Sequence, residues 1–352
     1  MKTILYKVLF VILVLPAVMV AETPKGKYSK EKRISKAYVV NGNAGTTVAN
    51  RYGSIYITTW DENRTEIDVL IKVSGNDEDV VNKRLNGIDV EFSSSKASVT
   101  AKTVIENFRG RNVNMEINYT IKIPKNGTLG VANQYGAIKL GKIYGDINLS
   151  CQYGEVSIDE LNGDTNNLKM QYCSSGRLNY FKNADIVAQY SDFNLARIGN
   201  LQLDSQYSDV TINNVNTLNY KCQYGDLTVR SADRLTGSGS YSDLTFGTID
   251  QLLNITTNYG DLSVSKLGRQ VKNVTIVNTY ADVKLSFDPE IAFDFEFTGS
   301  YSDISGLSNF KISEKIEKSS TSIYKGYYKT SGIGRIYIKS QYGDVTFAKS
   351  NL

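Results

Sequence analysis

Histidine is absent from this chain of 352 residues, and proline and cysteine are scarce, with four and three residues. Without histidine the protein lacks the commonest metal ligand and the usual general base near neutral pH. A serine or cysteine nucleophile would have no histidine to activate it. The composition therefore argues against hydrolases and transferases that depend on such a pair.

Clustered charge of one sign is also missing. The formal net charge is +4, and the lysines and arginines are scattered along the chain. A nucleic-acid-binding surface needs a basic patch or stripe, and the sequence offers none. We therefore expect no nucleic acid partner.

Long apolar runs are confined to the N-terminus. Residues 1–21 carry lysines at positions 2 and 7, then an apolar stretch that ends at Ala21. This stretch is short for a membrane span and is typical of a cleaved secretory signal peptide. An uncleaved anchor is the alternative, because Met19 is a poor residue at the −3 site. We expect an exported protein without a transmembrane segment after signal removal, located in the periplasm, at the cell surface or outside the cell.

Tyrosine, with 24 residues, is abundant and follows a repeat. The motif "QYGD-Φ-x-Φ", where Φ is apolar, and its variants recur at intervals of 17 to 21 residues. A short fixed period predicts a solenoid in which each lap stacks on the next. The recurring tyrosines are Tyr135, Tyr153, Tyr172, Tyr190, Tyr207, Tyr224, Tyr241, Tyr259, Tyr280 and Tyr301, with outlying copies at Tyr52 and Tyr342.

Apolar residues alternate on both sides of each tyrosine, which predicts half-buried strands. They stand six and four residues before it, and three, five and eight residues after it. Three inward faces per lap predict an all-β fold: a right-handed parallel β-helix with 17 to 21 residues per rung. The apolar residues six and four before the tyrosine are separated from it by an even number of positions. In an extended strand the tyrosine would face the same way, so we expect the rings to stack inside as a structural ladder.

The residues around each tyrosine fit a tight corner. A glycine or serine usually follows it, and an aspartate usually comes next, placed to accept hydrogen bonds from backbone amides. The residue two before it is usually small, which we interpret as room for an inward ring. One acid per rung is a weak calcium site, because calcium needs six or more oxygens. The calcium candidates are Asp209, Asp226, Asp243 and Asp261.

The cysteines are predicted to remain free thiols. Cys151 and Cys222 lie four rungs apart, about 19 Å at strand spacing, whereas a disulfide needs Cα atoms within about 7 Å. Cys173 follows its tyrosine directly and is out of register with Cys151. The lap at Tyr172 is irregular as well. There a bulge that turns Leu178 and Tyr180 inward, or a local opening of the rung, is expected.

Three parts follow the signal peptide in this interpretation. Residues 22–130 form a β-rich region that caps the N-terminal end of the coil, with a short helix in "NDEDVVNKRLNG" begun by Asp77 or Asn76 and ended by Gly87. The parallel β-helix occupies residues 131–352. Within it, residues 305–335 break the period and form a charged excursion over the final rungs.

The segments "VANRYGSIYITTWD" and "YTIKIPKNGTLGV", together with the repeated "YGD" laps, resemble the putative adhesin family of uncharacterised exported bacterial β-helix proteins. The resemblance covers nearly the whole mature chain. It implies the fold and an exported, adhesin-like character, and it supplies no catalytic residues and no cofactor.

Two functions remain in view. The first is a non-enzymatic scaffold or adhesin-like protein of the cell envelope that binds a protein or glycan at the surface, with self-association open. The second is a polysaccharide lyase or hydrolase built on a β-helix. Glycoside hydrolysis needs two carboxylates at a defined separation in a cleft, whereas these acids form one regular column. We therefore expect no enzyme and neither a cofactor nor a metal.

Overall fold

The structure, a computed structural model, describes residues 26–107 and 112–350. The predicted signal peptide lies outside these residues. Within these ranges the protein is all-β apart from one short helix, and its strands join into one long sheet of 26 strands that does not close. The fold is solenoid-like, as the repeat predicts. No helix in the described ranges is long and apolar enough to span a membrane.

The N-terminal elements come first in the chain. They are β1 (Tyr28–Val39), β2 (Gly45–Arg51), β3 (Ile55–Trp60), β4 (Arg64–Gly75), α1 (Glu78–Asn86), β5 (Ile88–Ser94), β6 (Ser98–Ile105) and β7 (Val113–Pro124).

The central elements follow from residue 129. They are β8 (Leu129–Gln134), β9 (Ile138–Ile143), β10 (Ile147–Gln152), β11 (Glu155–Leu161), β12 (Asn166–Gln171), β13 (Ser174–Gln189), β14 (Phe193–Gln206), β15 (Val210–Gln223), β16 (Leu227–Ser240) and β17 (Leu244–Asn258).

The C-terminal elements complete the chain. They are β18 (Leu262–Leu267), β19 (Asn273–Thr279), β20 (Val283–Phe287), β21 (Phe293–Ser300), β22 (Ile304–Ser305), β23 (Phe310–Lys318), β24 (Thr321–Tyr328), β25 (Arg335–Gln341) and β26 (Val345–Lys349).

Successive laps pair in parallel and in register. In β14 and β15, for example, Phe193 lies beside Val210 and Gln206 lies beside Gln223. The alternating apolar positions face inward, because a strand places every second side chain on the same face. All three inward sets that the sequence predicts are buried, and the third is illustrated by Ile198 and Ile249. The prediction of a continuous core along the solenoid is confirmed.

The N-terminal end is covered by antiparallel strands. β4 pairs with both β1 and β7, and β5 pairs with β6. Asp77 caps α1 by accepting a hydrogen bond from the backbone N–H of Val80 at 3.1 Å, and Gly87 ends the helix, as predicted. β2 and β3 are parallel neighbours of β8 and β9, so residues 45–60 already stack with the laps.

At the C-terminal end, the order of the strands in the sheet differs from their order in the sequence. β25 lies between β19 and β21, in parallel with both, and β26 lies between β20 and β22. Within the predicted excursion, β23 and β24 form an antiparallel hairpin, and β24 covers the free edge of β21. The final lap is therefore inserted between two earlier ones.

β1 and β23, two of the strands that pair on one side only, are polar on much of their length. Charged side chains on an edge strand discourage pairing with another sheet. Such residues limit end-to-end stacking of solenoids. They are Lys30, Glu31, Lys32, Arg33 and Lys36 in β1, and Lys311, Glu314, Lys315, Glu317 and Lys318 in β23.

The irregular lap contains a bulge. The register between β11 and β13 shifts after Val156, so that Ile158 lies beside Leu178. Leu178 is buried, which confirms that part of the prediction. Tyr180 was expected inside as well, and this is wrong: its ring is half-buried at the surface, with the Arg197 guanidinium 4.9 Å from its centroid.

Candidate contact surface

Twelve tyrosines form one uninterrupted stack along the solenoid. Neighbouring ring centroids are 4.8–5.3 Å apart, and neighbouring planes are tilted by 2–10°. Tyr52 and Tyr342, the outlying copies of the motif, belong to the stack. We call this stack the tyrosine ladder. Its order in space is Tyr52, Tyr135, Tyr153, Tyr172, Tyr190, Tyr207, Tyr224, Tyr241, Tyr259, Tyr280, Tyr342 and Tyr301.

The ladder lies on the outside of the protein, and the prediction of inward rings is wrong. Each tyrosine of the ladder is 38–63% exposed. The reason is the backbone, because every tyrosine in the ladder has a positive φ of 48–60°. In this left-handed conformation the chain turns sharply. The tyrosine side chain therefore points to solvent, although the alternating residues on both sides of it point inward.

The rings present their edges to solvent. Since each of the ten inner rings has a neighbour above and below at about 5 Å, its two faces are covered, and the ring edge and the hydroxyl remain accessible. The ladder includes twelve of the eighteen large hydrophobic residues that are exposed within the described ranges. Contiguous exposed apolar surface of this extent marks interaction sites on soluble proteins.

The left-handed backbone conformation is energetically unfavourable for tyrosine, and all twelve residues of the ladder adopt it. A left-handed residue other than glycine is unfavourable by roughly 1–2 kcal/mol, and asparagine and aspartate tolerate the region best. Stacking of aromatic pairs returns about 0.5–1.5 kcal/mol each. Glycine would turn the same corner without this conformational cost, and asparagine would turn it at a lower cost. Strained positions that persist in a fold concentrate at functional sites.

The small residues two before each tyrosine have a role other than leaving room for a ring. Four of them, Cys222, Thr257, Asn278 and Ser340, lie buried under the corner and donate hydrogen bonds to the carbonyl oxygen of the residue after the tyrosine. The thiol of Cys222 lies 3.0 Å from the oxygen of Gly225, and the hydroxyl of Thr257 lies 3.0 Å from that of Gly260. These bonds satisfy buried carbonyl groups that the turn would otherwise leave unpaired.

Aspartates form a column on one side of the ladder, which we call the aspartate column; its order in space is Asp192, Asp209, Asp226, Asp243, Asp261, Asp282, Asp344 and Asp303. Each carboxylate except that of Asp303 accepts a hydrogen bond from the backbone N–H of the next aspartate in the column, at 2.8–3.1 Å. The calcium candidates Asp209, Asp226, Asp243 and Asp261 are four consecutive members. Among the described residues, no three or more histidine, cysteine, aspartate or glutamate side chains form a group that could hold a metal.

The residues directly before the tyrosines form a second column on the opposite side of the ladder, and most of them are glutamine or asparagine. Gln134 donates to Gln152 at 2.9 Å, and Gln171 donates to Gln189 at 2.7 Å. The column carries no charge in the eight rungs that also carry an aspartate. The ladder is therefore flanked by an acidic column on one side and a neutral, hydrogen-bonding column on the other. In these eight rungs the flanking residues are Gln189, Gln206, Gln223, Ser240, Asn258, Thr279, Gln341 and Ser300.

The three cysteines are free and buried, as predicted. However, Cys173 lies close to Cys151, with its Sγ 3.2 Å from the Cys151 carbonyl oxygen. The positions after and two before the tyrosine both point under the corner, which brings these side chains together despite their different register. The hydrogen bond between the two thiols lowers the pKa of Cys173, and the same bond together with burial raises the pKa of Cys151.

Two carboxylates in a surface groove beside Tyr180 are engaged in an ion pair and a hydrogen bond. Glu160 accepts from Lys142 at 2.7 Å, and this hydrogen bond lowers the pKa of Glu160. Asp159 in the same groove accepts from Asn179 at 3.2 Å. A lowered pKa does not suit a proton donor near neutral pH, so this pair is a poor match for glycoside hydrolysis.

Comparison with known proteins identifies the family. The sequence model described as Toastrack DUF4097 matches residues 51–348. No curated protein matches the chain.

Similar solved structures share little sequence with this protein. A "putative cell adhesion protein" from Clostridium sporogenes is 10% identical, with 92% of this chain and 100% of that chain covered and a TM-score of 0.20. A "putative lipid binding protein" from Parabacteroides distasonis is 9% identical, with 90% and 96% covered and a TM-score of 0.29. A "putative adhesin" from Bacteroides fragilis is 13% identical, with 90% and 97% covered and a TM-score of 0.22.

Proposed function

Since the chain belongs to the Toastrack DUF4097 family, we propose that it is an exported, non-enzymatic scaffold of adhesin-like type. Its contact surface is the tyrosine ladder with the two columns beside it. The partner is a protein or glycan of the cell envelope or cell surface. In this proposal residues 1–21 are removed on export, residues 22–130 cap the solenoid, and the coil is a right-handed parallel β-helix.

One observation carries the proposal. Twelve tyrosines hold a backbone conformation that other residues would adopt at lower cost, and each exposes its ring edge and hydroxyl. A corner that served the fold alone would favour glycine or asparagine. Tyrosine is also enriched in protein interfaces, because it combines large apolar area with a hydrogen-bonding hydroxyl. The ladder therefore has the composition of a binding surface.

The right-handed coil is supported by the parallel pairing of successive laps. Crossover connections between parallel strands are right-handed in nearly all proteins. The exported state is supported by the charge and apolar pattern of residues 1–21. N-terminal sequencing of the protein recovered from the producing cells would locate the cleavage site.

A binding comparison tests the contact surface. The variant Tyr190→Asn, Tyr207→Asn, Tyr224→Asn and Tyr241→Asn removes four adjacent rings and keeps residues that tolerate a positive φ. The matched control changes the same four laps on another face: Asn194→Ser, Thr211→Ser, Thr228→Ser and Thr245→Ser. Both are compared with the unchanged protein on immobilised polysaccharides and matrix proteins, after circular dichroism has established that they fold.

We expect the tyrosine variant to lose binding at least tenfold on any surface that the unchanged protein recognises, while the control binds normally. Equal binding by the tyrosine variant would place the contact surface elsewhere. Loss of binding by the control alone would assign it to the flat sheet face.

A further inference from the structure

We propose that the tyrosine ladder docks against the ladder of a second copy of this chain, with the two solenoids parallel. This inference rests on the proposed contact surface and names its partner. Four observations support it: the pitch of the ladder, its exposed area, the charge on its two sides, and the charge on the edge strands β1 and β23.

The pitch favours a partner with the same repeat. The ladder has eleven steps of 4.8–5.3 Å. A partner whose repeat differed by about 0.5 Å from the spacing of β-strands would be half a step out of register after roughly five rungs. A second copy matches every rung, because both repeats are set by the same backbone hydrogen bonds.

The exposed area is sufficient for a stable dimer. A buried tyrosine removes about 150–250 Å² from solvent, and the ladder rings expose close to half of their surface. Twelve rings therefore offer on the order of 1,000 Å² per chain, compared with about 800 Å² per partner in a standard interface. A twofold pair also closes on itself, since the same patch is used on both chains.

Charge selects the orientation of the pair. If the twofold axis runs along the solenoid, the aspartate column of one copy faces the neutral column of the other, rung by rung. Asp209 then faces Gln206 of the second copy, and Asp226 faces Gln223. In all eight rungs with an aspartate the opposite residue is uncharged and carries a hydrogen-bond donor.

The antiparallel arrangement is disfavoured. If the twofold axis crosses the solenoid, the aspartate columns of both copies lie on the same side. Carboxylates of the central rungs, such as those of Asp192 and Asp243, would then face carboxylates of the second copy and repel them. End-to-end association through β1 or β23 is opposed separately by the charged side chains on these two edge strands.

Sedimentation velocity of the mature protein, residues 22–352, from roughly 1 to 100 µM tests the pairing. We expect a monomer–dimer equilibrium that Tyr190→Asn, Tyr224→Asn and Tyr259→Asn weaken at least tenfold. The matched control, Tyr56→Asn with Tyr144→Asn, removes exposed tyrosines outside the ladder and should leave the equilibrium unchanged. A wild-type protein that stays monomeric, or a dimer that the ladder variant does not weaken, would overturn the inference.

Spin labels test the orientation. A nitroxide on Asp303→Cys marks the last rung, and the native cysteines are buried. Parallel docking places the two labels within about 30 Å, whereas antiparallel docking separates them by about 50 Å, the length of the ladder at strand spacing. A long distance would overturn the parallel arrangement. A monomer that still binds the polysaccharide or protein panel through its tyrosines would refute the dimer and retain the proposed function.

Discussion

The ring of Tyr342 stacks on that of Tyr280, with centroids 4.8 Å apart, although most of the C-terminal region separates them in the chain. On its other face Tyr342 meets Tyr301 at 5.2 Å. The last lap of the sequence is therefore the penultimate rung of the solenoid. Its strand β25 provides hydrogen-bonding partners for β19 on one side and β21 on the other.

Replacing a buried residue of this inserted strand should destabilise the protein markedly. Ile338 is 1% exposed, and Ile338→Ala should lower the free energy of unfolding by about 2–5 kcal/mol through lost burial and a cavity. Urea denaturation followed by circular dichroism measures the change. The neighbouring exposed residue provides the control, as Lys339→Ala should cost at most about 0.5 kcal/mol. Equal effects of the two changes would show that β25 is not inserted.

Substitutions at a ladder position should separate conformational cost from stacking. Tyr224 has a φ of 55°, and both Tyr224→Asn and Tyr224→Ala remove its ring. Asparagine tolerates this conformation and alanine does not, so the asparagine variant should be more stable by about 1 kcal/mol. Thermal unfolding compares the two. If alanine is tolerated as well as asparagine, the left-handed corner does not exist at this position.

The buried side chain two residues before a ladder tyrosine should contribute to stability through its hydrogen bond. Asn278 is buried and donates to the carbonyl oxygen of Ala281 at 2.6 Å. Asn278→Ala leaves this carbonyl without that donor and should cost about 1–3 kcal/mol of unfolding free energy. Asn254, on the exposed face, is the control, and Asn254→Ala should have little effect. A neutral Asn278→Ala would mean that water or a shifted backbone satisfies the carbonyl.

The aspartate column should tolerate loss of charge but not loss of its oxygen. Asp226 accepts from the N–H of Asp243 at 3.1 Å. Asp226→Asn keeps an acceptor and removes repulsion of roughly 1 kcal/mol per neighbouring carboxylate in water, so stability should hold or rise slightly. Asp226→Ala loses the acceptor and should cost about 1 kcal/mol. Melting temperatures provide the comparison.

The same column provides a test of calcium binding. One oxygen of each bonded carboxylate is already engaged with an amide, and calcium needs six or more oxygens. We expect the melting temperature to be the same with calcium and with EDTA. A rise with calcium that Asp226→Asn abolishes would establish a cation site in the column.

Alkaline pH should destabilise the N-terminal region through one buried phenol. The hydroxyl of Tyr119 lies 2.7 Å from that of Thr103, and burial raises the pKa of Tyr119 from 10.0 to about 12. The folded state therefore favours the neutral phenol, and this contribution is complete below pH 10. It is lost as the pH rises from 10 through 12, by about 3 kcal/mol in all.

Tyr119→Phe supplies the control for this pH dependence. The variant lacks the ionising group, so its unfolding free energy should fall less steeply between pH 10 and 12. Its stability at pH 7 should be lower by about 1 kcal/mol through the lost hydrogen bond to Thr103. Urea denaturation at pH 7, 10 and 11.5 compares the two proteins. Parallel curves would show that Tyr119 is accessible to solvent in the folded state.

The strands and the helix of this protein can be predicted from short local patterns in its sequence. Alternation of residues such as Val210 and Ile212 identifies the strands and their buried face, because a strand has a period of two in any context. Asp77 and Gly87 predict both ends of the helix, since helix caps depend on local chemistry. These features need no knowledge of the rest of the chain.

The position of the rings could not be obtained in the same way. Counting by twos from Leu203 and Ser205 places Tyr207 inside, and it would lie there if the backbone stayed extended. With a left-handed backbone, the side chain of Tyr207 points to solvent instead of into the core. The residue type does not predict this conformation, because tyrosine rarely adopts it. Sequence analysis would instead assign the left-handed conformation to the glycine that often follows the tyrosine, because glycine adopts it most readily.

From the amino-acid order alone, the period of the laps, their strands and their buried side chains could be worked out, because burial requires only that apolar residues recur on one face. Tertiary structure alone decided that the tyrosines face solvent and that Tyr342 comes before Tyr301 in the stack. The first depends on a backbone angle, and the second depends on which strand edges remain open when the last lap folds.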